Sequence, residues 1–441
     1  MKYAITAGAL GVSLITLSYI AVPRFLSLEY HESPIVTEGI PAQANTQVIP
    51  VEKVPEDTRE VVAHIPLPEP LKAIYMTSCV AGTIDFRNRL VSLIDETEIN
   101  AVIIDIKDYS GTISFPPTSE AWSGAWENAR CGTRDMKAFI ETLHEKDIFV
   151  IGRITVFQDP YYAVLRPDLA VLRASDGSVW HDRKGLSFID VGSREYWDHI
   201  IELSRNAYMI GFDELNFDYV RYPSDGNMED IAFPNSMKGE YGADKQANLE
   251  AFFRYLNEKL DDDSVFSSVR HEKTGREKAT PWTSVDLFGM TTTNTDDLSI
   301  GQVQERAAPY FDFIAPMVYP SHYPQDYLGL GDPNEHPYQI VHHAMKEGVR
   351  RMQSSTTPVQ GFLHERIGTS TPAQYTKPVF TGDRLRTWIQ DFDYGGDYDA
   401  TDVRTQIQAS TDAGVESWMI WAPSNIYTRA ALEATVVEKD E

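Results

Sequence analysis

From residue 71 onward, short runs of β-branched or aromatic residues alternate with segments whose apolar residues recur three to four positions apart. The first pattern favours strands, and the second marks one buried face of a helix. Eight strands are predicted, at residues 73–79, 101–107, 148–156, 212–219, 282–288, 311–319, 386–391 and 416–421. Strands that alternate with helices form a parallel sheet, and eight strands close it, so the predicted fold is an α/β protein with a (β/α)8 TIM barrel.

Three of the intervening segments carry recognisable helix ends. Thr133, Ser193 and Thr401 each precede a helical apolar pattern and are predicted N-caps. Gly211 and Gly414 follow the second and third of these segments, where a glycine typically ends a helix. A doubly wound open sheet is the alternative fold, but no G-x-G-x-x-G motif follows the first strand to support it.

Near its N-terminus the chain has an uncharged run, residues 3–23, flanked by Lys2 and Arg24. At about 1.5 Å per residue, such a helix just crosses a hydrocarbon core about 30 Å thick. It is a signal peptide or a signal anchor, and the nearest small-x-small pattern, Ala42-Gln43-Ala44, lies about 20 residues beyond it. We therefore predict an uncleaved transmembrane anchor over residues 1–24, single-pass in the cytoplasmic membrane with the remainder extracytoplasmic. Secretion is the alternative.

Residues 25–70 are rich in proline and lack sustained periodicity. They are predicted to form an extended linker between membrane and domain, because proline interrupts helices and central strands. An irregular cap packed on the domain is the alternative, chiefly after Val61. The barrel is predicted over residues 71–433 and an acidic tail over 434–441.

The charge balance excludes one class of partner. There are 65 acidic and 39 basic residues, for a net charge of −26. Nucleic-acid binding needs clustered basic surface, so no nucleic-acid partner is expected. The only cysteines, Cys79 and Cys131, are predicted near the C-terminal rim of adjacent strands, within reach of a disulfide in an oxidising exterior. Two free thiols are the alternative.

The fourth predicted strand lies within GFDELNFDYVRYP, residues 211–223. Leu215 and Phe217 fall on one face, so period-two alternation points Glu214, Asn216 and Asp218 into the barrel. Burying an unpaired carboxylate costs several kcal/mol, so such a row persists only where the groups are paired, hydrated or functional.

Polar residues also face inward on other strands. The same alternation places Asp105 and Lys107 on the second strand and Arg153 on the third. These three and Glu214 are predicted to form a buried ion-pair network or to bind a ligand. Asp286 points inward near the end of the fifth strand.

Three further strand ends offer ligand-binding side chains. On the seventh strand, alternation turns only one of Gln390 and Asp391 inward. Tyr319 and Trp421 end the sixth and eighth strands with rings that suit stacking on a sugar or filling the barrel mouth.

Asp218 and Asp286, on neighbouring strand ends, form the pair that glycoside hydrolysis requires. One carboxylic acid protonates the leaving oxygen, and the other carboxylate attacks or activates water. No metal or other cofactor is expected, because His342 and His343 are adjacent on a helix and His322 lies in a loop. The sequence contains no G-x-S-x-G elbow and no phosphate-binding loop.

The segments EINAVIIDIKDYSG, GFDELNFDYVRYPSDG, IAPMVYPSHY, TWIQDFDY and DAGVESWMIWAPSN resemble a bacterial glycoside hydrolase family of TIM-barrel proteins whose domain is labelled as of unknown function. The resemblance spans residues 71–427 and implies an alpha-amylase-like barrel. It implies Asp218 as nucleophile or base, Asp286 as acid and Asp391 as transition-state stabiliser. Amylase-type barrels carry Glu at the Asp286 position and Arg at the Asn216 position, so the chain departs from that pattern at two places.

The predicted function is therefore hydrolysis of glycosidic bonds in an envelope or extracellular polysaccharide or oligosaccharide. A non-catalytic carbohydrate-binding barrel is the alternative. The predicted substrate-binding residues are Asp105, Lys107, Arg153, Glu214, Arg221, Tyr319, Gln390 and Trp421.

Overall fold

Eight parallel strands form a closed barrel in the computed structural model, which describes residues 57–435. Each strand pairs with its neighbours in chain order, and the last pairs with the first. The predicted TIM barrel is confirmed. The strands are β1 Lys72–Met76, β2 Ala101–Lys107, β3 Phe149–Thr155, β4 Glu214–Asp218, β5 Trp282–Phe288, β6 Phe313–Met317, β7 Thr387–Gln390 and β8 Trp418–Trp421.

Helices and short turns connect the strands and cover the barrel. The α-helices are α1 Ser78–Ala81, α2 Ile84–Asp95, α3 Glu120–Glu127, α4 Met136–His144, α5 Pro160–Leu165, α6 Arg194–Tyr208, α7 Pro234–Lys238, α8 Lys245–Leu260, α9 Gln304–Ala307, α10 Pro337–Gln353 and α11 Ala400–Asp412. Single 3₁₀ turns lie at Met228–Asp230, Asp263–Phe266, Gly289–Thr292, Ala308–Tyr310, Pro320–His322, Tyr327–Gly329, Pro333–Glu335, Gly382–Arg384 and Arg429–Ala431.

The strands separate two apolar layers, as alternation requires. Inside the barrel, Ala73, Ile103, Ile151, Trp388 and Met419 pack together. The opposite faces of the same strands pack against the helices in a larger cluster. Polar residues at the C-terminal ends of the strands therefore stand above an apolar floor.

Two of the three predicted helix caps are wrong. Ser193 is the N-cap position of α6, as predicted. The N-cap of α4 is Asp135, because Thr133 is buried and its N–H donates to the Ser114 carbonyl. Asp399 caps α11, since its carboxylate accepts the N–H of Thr401 at 2.7 Å.

The N-terminal end of the described chain packs on the barrel domain. Val61–Ala63 pairs in parallel with Arg270–Glu272, and Val62 is buried. Residues 61–63 therefore belong to the folded domain and not to the predicted linker, because they form a strand paired with Arg270–Glu272. The predicted anchor, most of the linker, and residues 436–441 of the acidic tail lie outside the described residues. Within residues 57–435, no helix combines the length and apolarity needed to cross a bilayer.

Cys79 and Cys131 form the predicted disulfide, with 4.8 Å between their Cα atoms. The prediction that Cys79 ends the first strand is wrong, because Cys79 lies in α1. The strand stops earlier because the Thr77 side chain accepts the N–H of Val80 at 3.2 Å and begins that helix.

Replacing both cysteines by serine is expected to lower the free energy of unfolding by about 4 kcal/mol, since the bridge closes a loop of about 50 residues in the unfolded chain. Denaturant titration of the oxidised, reduced and double-serine proteins measures this. Reduction should leave the double-serine protein unchanged. Two reactive thiols in the denatured, unreduced protein would contradict the prediction.

Candidate active site

Two adjoining cavities lie at the C-terminal mouth of the barrel. The smaller has a volume of about 340 Å³ and contains Asp218 and Asp286 in its wall. The larger, about 540 Å³, contains Asp105 and Tyr75. Together they form one cleft, because both are lined by Arg153, Tyr219, Arg221, Ser224 and Trp421.

Asp218 is the last residue of β4 and lines the smaller cavity of this cleft. Its Oδ2 atom accepts hydrogen bonds from the Arg153 guanidinium, at 3.1 Å from Nε and more closely from Nη2. Its Oδ1 atom accepts the backbone N–H of Tyr219 at 2.5 Å. Tyr219 has a φ of 51°, an uncommon conformation for a bulky residue that often occurs at functional sites. The carboxylate is thus fixed and lies next to a positive charge.

Asp286 lies on the neighbouring strand β5 and is buried. Its Oδ1 atom accepts hydrogen bonds from Trp388 Nε1 at 2.8 Å and Asn216 Nδ2 at 2.9 Å. Its Oδ2 atom has no hydrogen-bond partner within residues 57–435. Burial, and secondly the charge of Asp218, raise the pKa of the Asp286 carboxyl to about 8. Asp286 is therefore a protonated acid at neutral pH.

Arg153 joins Asp218 to a third carboxylate. Its Nη1 atom donates to Asp105 at 2.7 Å, and the hydroxyl of Tyr75 donates to the same carboxylate at 2.5 Å. Burial raises the pKa of Asp105 to about 6. One guanidinium thus holds carboxylates from two strands in position.

The predicted network of Asp105, Lys107, Arg153 and Glu214 is wrong as a unit. Only Asp105 and Arg153 are paired. Glu214 lies at the start of β4. Both of its carboxylate oxygens accept hydrogen bonds from Arg386 Nη1, each at 2.7 Å. Arg386 immediately precedes β7, so it reaches this lower end of the barrel. The Glu214 side chain is therefore buried below the cleft and does not line it.

Lys107 also leaves the predicted site. A bulge shifts the register of β2, so that Asp105 pairs with Arg153 but Lys107 pairs with Ile154. Ile154 packs in the outer apolar cluster, and Lys107 follows it to that side. There the ammonium lies 3.1 Å from Asp159, which also accepts the Tyr196 hydroxyl of α6.

The structure brings some of the remaining predicted residues to the cleft and separates others from it. Arg221, Tyr319 and Trp421 line it. Gln390 instead accepts hydrogen bonds from the backbone and hydroxyl of Ser321. Asp391 accepts the N–H and hydroxyl of Thr428 at 2.8 and 2.7 Å, and it does not contact the cleft.

Sequence reasoning left several cleft residues out of the site. Tyr75 and Trp388 are aromatic residues on inward strand positions that bind the acidic side chains. Tyr75 lies two positions from Ala73, and Trp388 two positions from Gln390, so strand alternation could have placed both rings on the inner face. Asn216 was placed inward but was given no role. Tyr219 follows a strand, and nothing in the sequence indicates its backbone conformation.

The described residues include no group of His, Cys, Asp and Glu side chains arranged to hold a metal ion. The side chains that can do chemistry at the cleft include one protonated carboxylic acid, two arginine-bound carboxylates and the aromatic rings around them. On a parallel barrel, this set is typical of the glycoside hydrolases.

The sequence agrees with that class. Residues 73–427 match the family described as "Putative glycosyl hydrolase domain", and the chain belongs to this family. The resemblance seen in the sequence is confirmed, and the protein is a glycoside hydrolase by family. No curated protein matches the chain.

Solved structures that match the chain include the glycoside hydrolase domain of PgaB (BpsB) from Bordetella bronchiseptica. It is 13% identical, with a TM-score of 0.49, over 82% of this chain and 94% of that one. A hypothetical protein from Ruminiclostridium thermocellum is 29% identical, with a TM-score of 0.38, over 45% and 95%. An alpha-galactosidase from Thermus thermophilus is 12% identical, with a TM-score of 0.43, over 83% and 60%.

Proposed function

We propose that this protein cleaves glycosidic bonds in a polysaccharide or oligosaccharide, with Asp286 as the general acid and Asp218 as the nucleophile or base. The observation that supports this most is the environment of Asp286. Its carboxyl is buried beside Asp218 and has a pKa of about 8, so it carries a proton at neutral pH. Carboxylates with separate roles at one site are the requirement of this chemistry.

The hydrogen bonds of Asp286 support different roles for its two oxygen atoms. Asn216 and Trp388 occupy Oδ1 of Asp286, which leaves Oδ2 to carry the proton. That proton passes to the glycosidic oxygen as its bond to the anomeric carbon breaks, and the leaving group departs as an alcohol. As that bond breaks, Asp218 either attacks the anomeric carbon or takes a proton from the attacking water. If Asp218 attacks, water then cleaves the resulting glycosyl ester, and the ionised Asp286 takes the proton of that water. Arg153 orients Asp218 throughout.

Aromatic rings provide the sugar-binding surface of the proposed site. Tyr319 and Trp421 line the smaller cavity together with Trp388. Trp421 also stacks on Tyr75, with 4.1 Å between ring centroids, so its orientation is fixed. Flat apolar rings of this kind pack against the apolar faces of sugar rings.

An envelope or extracellular polysaccharide is the proposed substrate. The Cys79–Cys131 disulfide supports an oxidising compartment, since disulfides persist outside the cytosol. The apolar run at residues 3–23 supports attachment to the cytoplasmic membrane, with the barrel outside.

A glycan panel tests the proposal. The full-length chain, purified in detergent, is incubated with envelope and extracellular polysaccharides, and new reducing ends are measured. Cleavage of at least one glycan is expected. Binding of a glycan without new reducing ends would instead favour the non-catalytic carbohydrate-binding barrel.

Activity is expected to decline above about pH 8, because Asp286 acts as an acid only while protonated. Its folded-state pKa lies above the ordinary 3.8, so the proton is held below pH 8 and lost as the pH rises through it. The logarithm of kcat/KM should therefore fall with a slope near −1 above that pH. Circular dichroism at each pH controls for unfolding. A profile that is flat to pH 10 would contradict the assignment.

A further inference from the structure

Arg221 lies where the two cavities meet and has an unused hydrogen-bonding edge. Its Nη1 atom donates to the Tyr222 carbonyl at 3.3 Å and the Ser224 hydroxyl at 3.1 Å. Its Nε and Nη2 atoms have no partner among residues 57–435, and no carboxylate lies within salt-bridge distance. The guanidinium lies 4.8 Å from the ring centroid of Tyr219, which supports it from one side. Such a fork matches a carboxylate, sulfate or phosphate.

A second cation without an ion-pair partner among residues 57–435 lines the larger cavity. Lys184 is exposed, and its ammonium has no partner in the described part of the chain. Among residues 57–435, neither cation has an ion-pair partner, although the protein has a net charge of −26.

The carboxylates of the larger cavity bind other groups and do not pair with these two cations. Asp105 is bound by Arg153 and Tyr75. Asp182 accepts two backbone N–H groups of its own loop, each at 2.8 Å. Asp225 is paired with Arg183 at 3.1 Å. None of these three carboxylates pairs with Arg221 or Lys184, so the guanidinium edge and the ammonium are free to bind a ligand.

We infer that the larger cavity binds an anionic substituent of the glycan, with Arg221 as its principal ligand and Lys184 as a second. This inference rests on the proposed function, since it places the charged sugar next to the unit held at Asp218 and Asp286. The anionic group is a carboxylate, a sulfate or a phosphate. A neutral glycan would leave the guanidinium edge and the ammonium to water alone.

Binding to matched pairs of glycans tests the inference. The full-length chain carrying Asp286→Asn is titrated with polygalacturonate and its methyl ester, dextran sulfate and dextran, and phosphomannan and mannan. Each pair differs mainly in charge, and the three pairs distinguish the three anions. At least one acidic glycan is expected to bind about tenfold or more tightly than its neutral partner. The negative net charge of the protein opposes non-specific binding of polyanions.

Variants identify the ligand. Arg221→Gln should remove the preference for the acidic glycan, and Arg221→Lys should retain part of it, since it keeps the charge without the fork. Lys184→Gln, at an exposed position, should weaken acidic binding severalfold without affecting folding. Arg89→Gln removes the charge of an exposed arginine on α2 and should change nothing.

The outcomes separate this inference from the proposed function. Equal binding of acidic and neutral forms, or a preference that survives Arg221→Gln, overturns the inference even if the wild-type protein cleaves glycans. Arg221-dependent binding without cleavage by the wild-type protein supports the inference and overturns hydrolysis. Failure to bind any of the six glycans overturns the inference as well.

Discussion

Asp286→Asn and Asp218→Asn are each expected to lower kcat by about 10²-fold or more, the usual contribution of a general acid or a nucleophile. Asn keeps the volume of Asp. It removes the negative charge at position 218 and the transferable proton at position 286. At position 286 the amide can still occupy the site between Asn216 and Trp388. The measurement is kcat on a glycan that the wild-type protein cleaves, together with the thermal midpoint of each variant.

Asp391→Asn is the matched control for this pair. Asp391 is the third acid that the resemblance implies, but its carboxylate is bound by Thr428 away from the cleft. We therefore expect less than a tenfold loss of kcat. If either Asp218→Asn or Asp286→Asn retains more than a tenth of the activity, that residue has no acid, base or nucleophile role. A loss at Asp391 as large as at the pair would restore its implied role.

Lys107→Met is expected to lower the free energy of unfolding by about 3–5 kcal/mol, the usual cost of removing one partner of a buried ion pair. The ammonium is fully buried, 3.1 Å from Asp159, and donates to the carbonyls of Thr155, Val156 and Gln158. Methionine fills a similar volume but leaves these acceptors short of a donor. Chemical denaturation of the full-length chain measures the change.

Lys146→Met is the matched control, because the Lys146–Asp95 pair is exposed on both sides. Exposed pairs contribute at most about 1 kcal/mol, so the free energy of unfolding of this variant should lie within about 1 kcal/mol of the wild-type value. Adding Asp159→Asn to Lys107→Met should recover part of the stability, since it removes the unpaired charge. If Lys107→Met and the wild-type protein have the same free energy of unfolding, the buried pair does not contribute to stability.

The positions of Asp218 and Asp286 could be predicted because alternation along a strand is local. Leu215 and Phe217 identify the outer face of β4, so Glu214, Asn216 and Asp218, which alternate with them, must face inward. The same rule failed at Lys107, where one extra residue in the β2 ladder reverses the side on which the chain continues. Nothing in the local sequence indicates that bulge.

Ion-pair and hydrogen-bond partners that are far apart in the chain could not be predicted from the sequence either. Glu214 and Arg386 are 172 positions apart, and only barrel closure brings them together. Arg386 was placed at the start of a strand without a partner, so Glu214 was assigned to the nearer cations. The same limit applies to Trp388, whose indole reaches Asp286 across the barrel.

By itself, the sequence determined the eight strands, the inward faces of β4 and β5, and the two cysteines that can be linked. These follow from periodicity and residue type, which act over a few neighbouring residues. Only the tertiary structure decided which charges pair and which carboxylic acid keeps its proton. The pKa of Asp286 depends on burial by the whole barrel and on the charge of Asp218 on the next strand, and both exist only after the barrel closes.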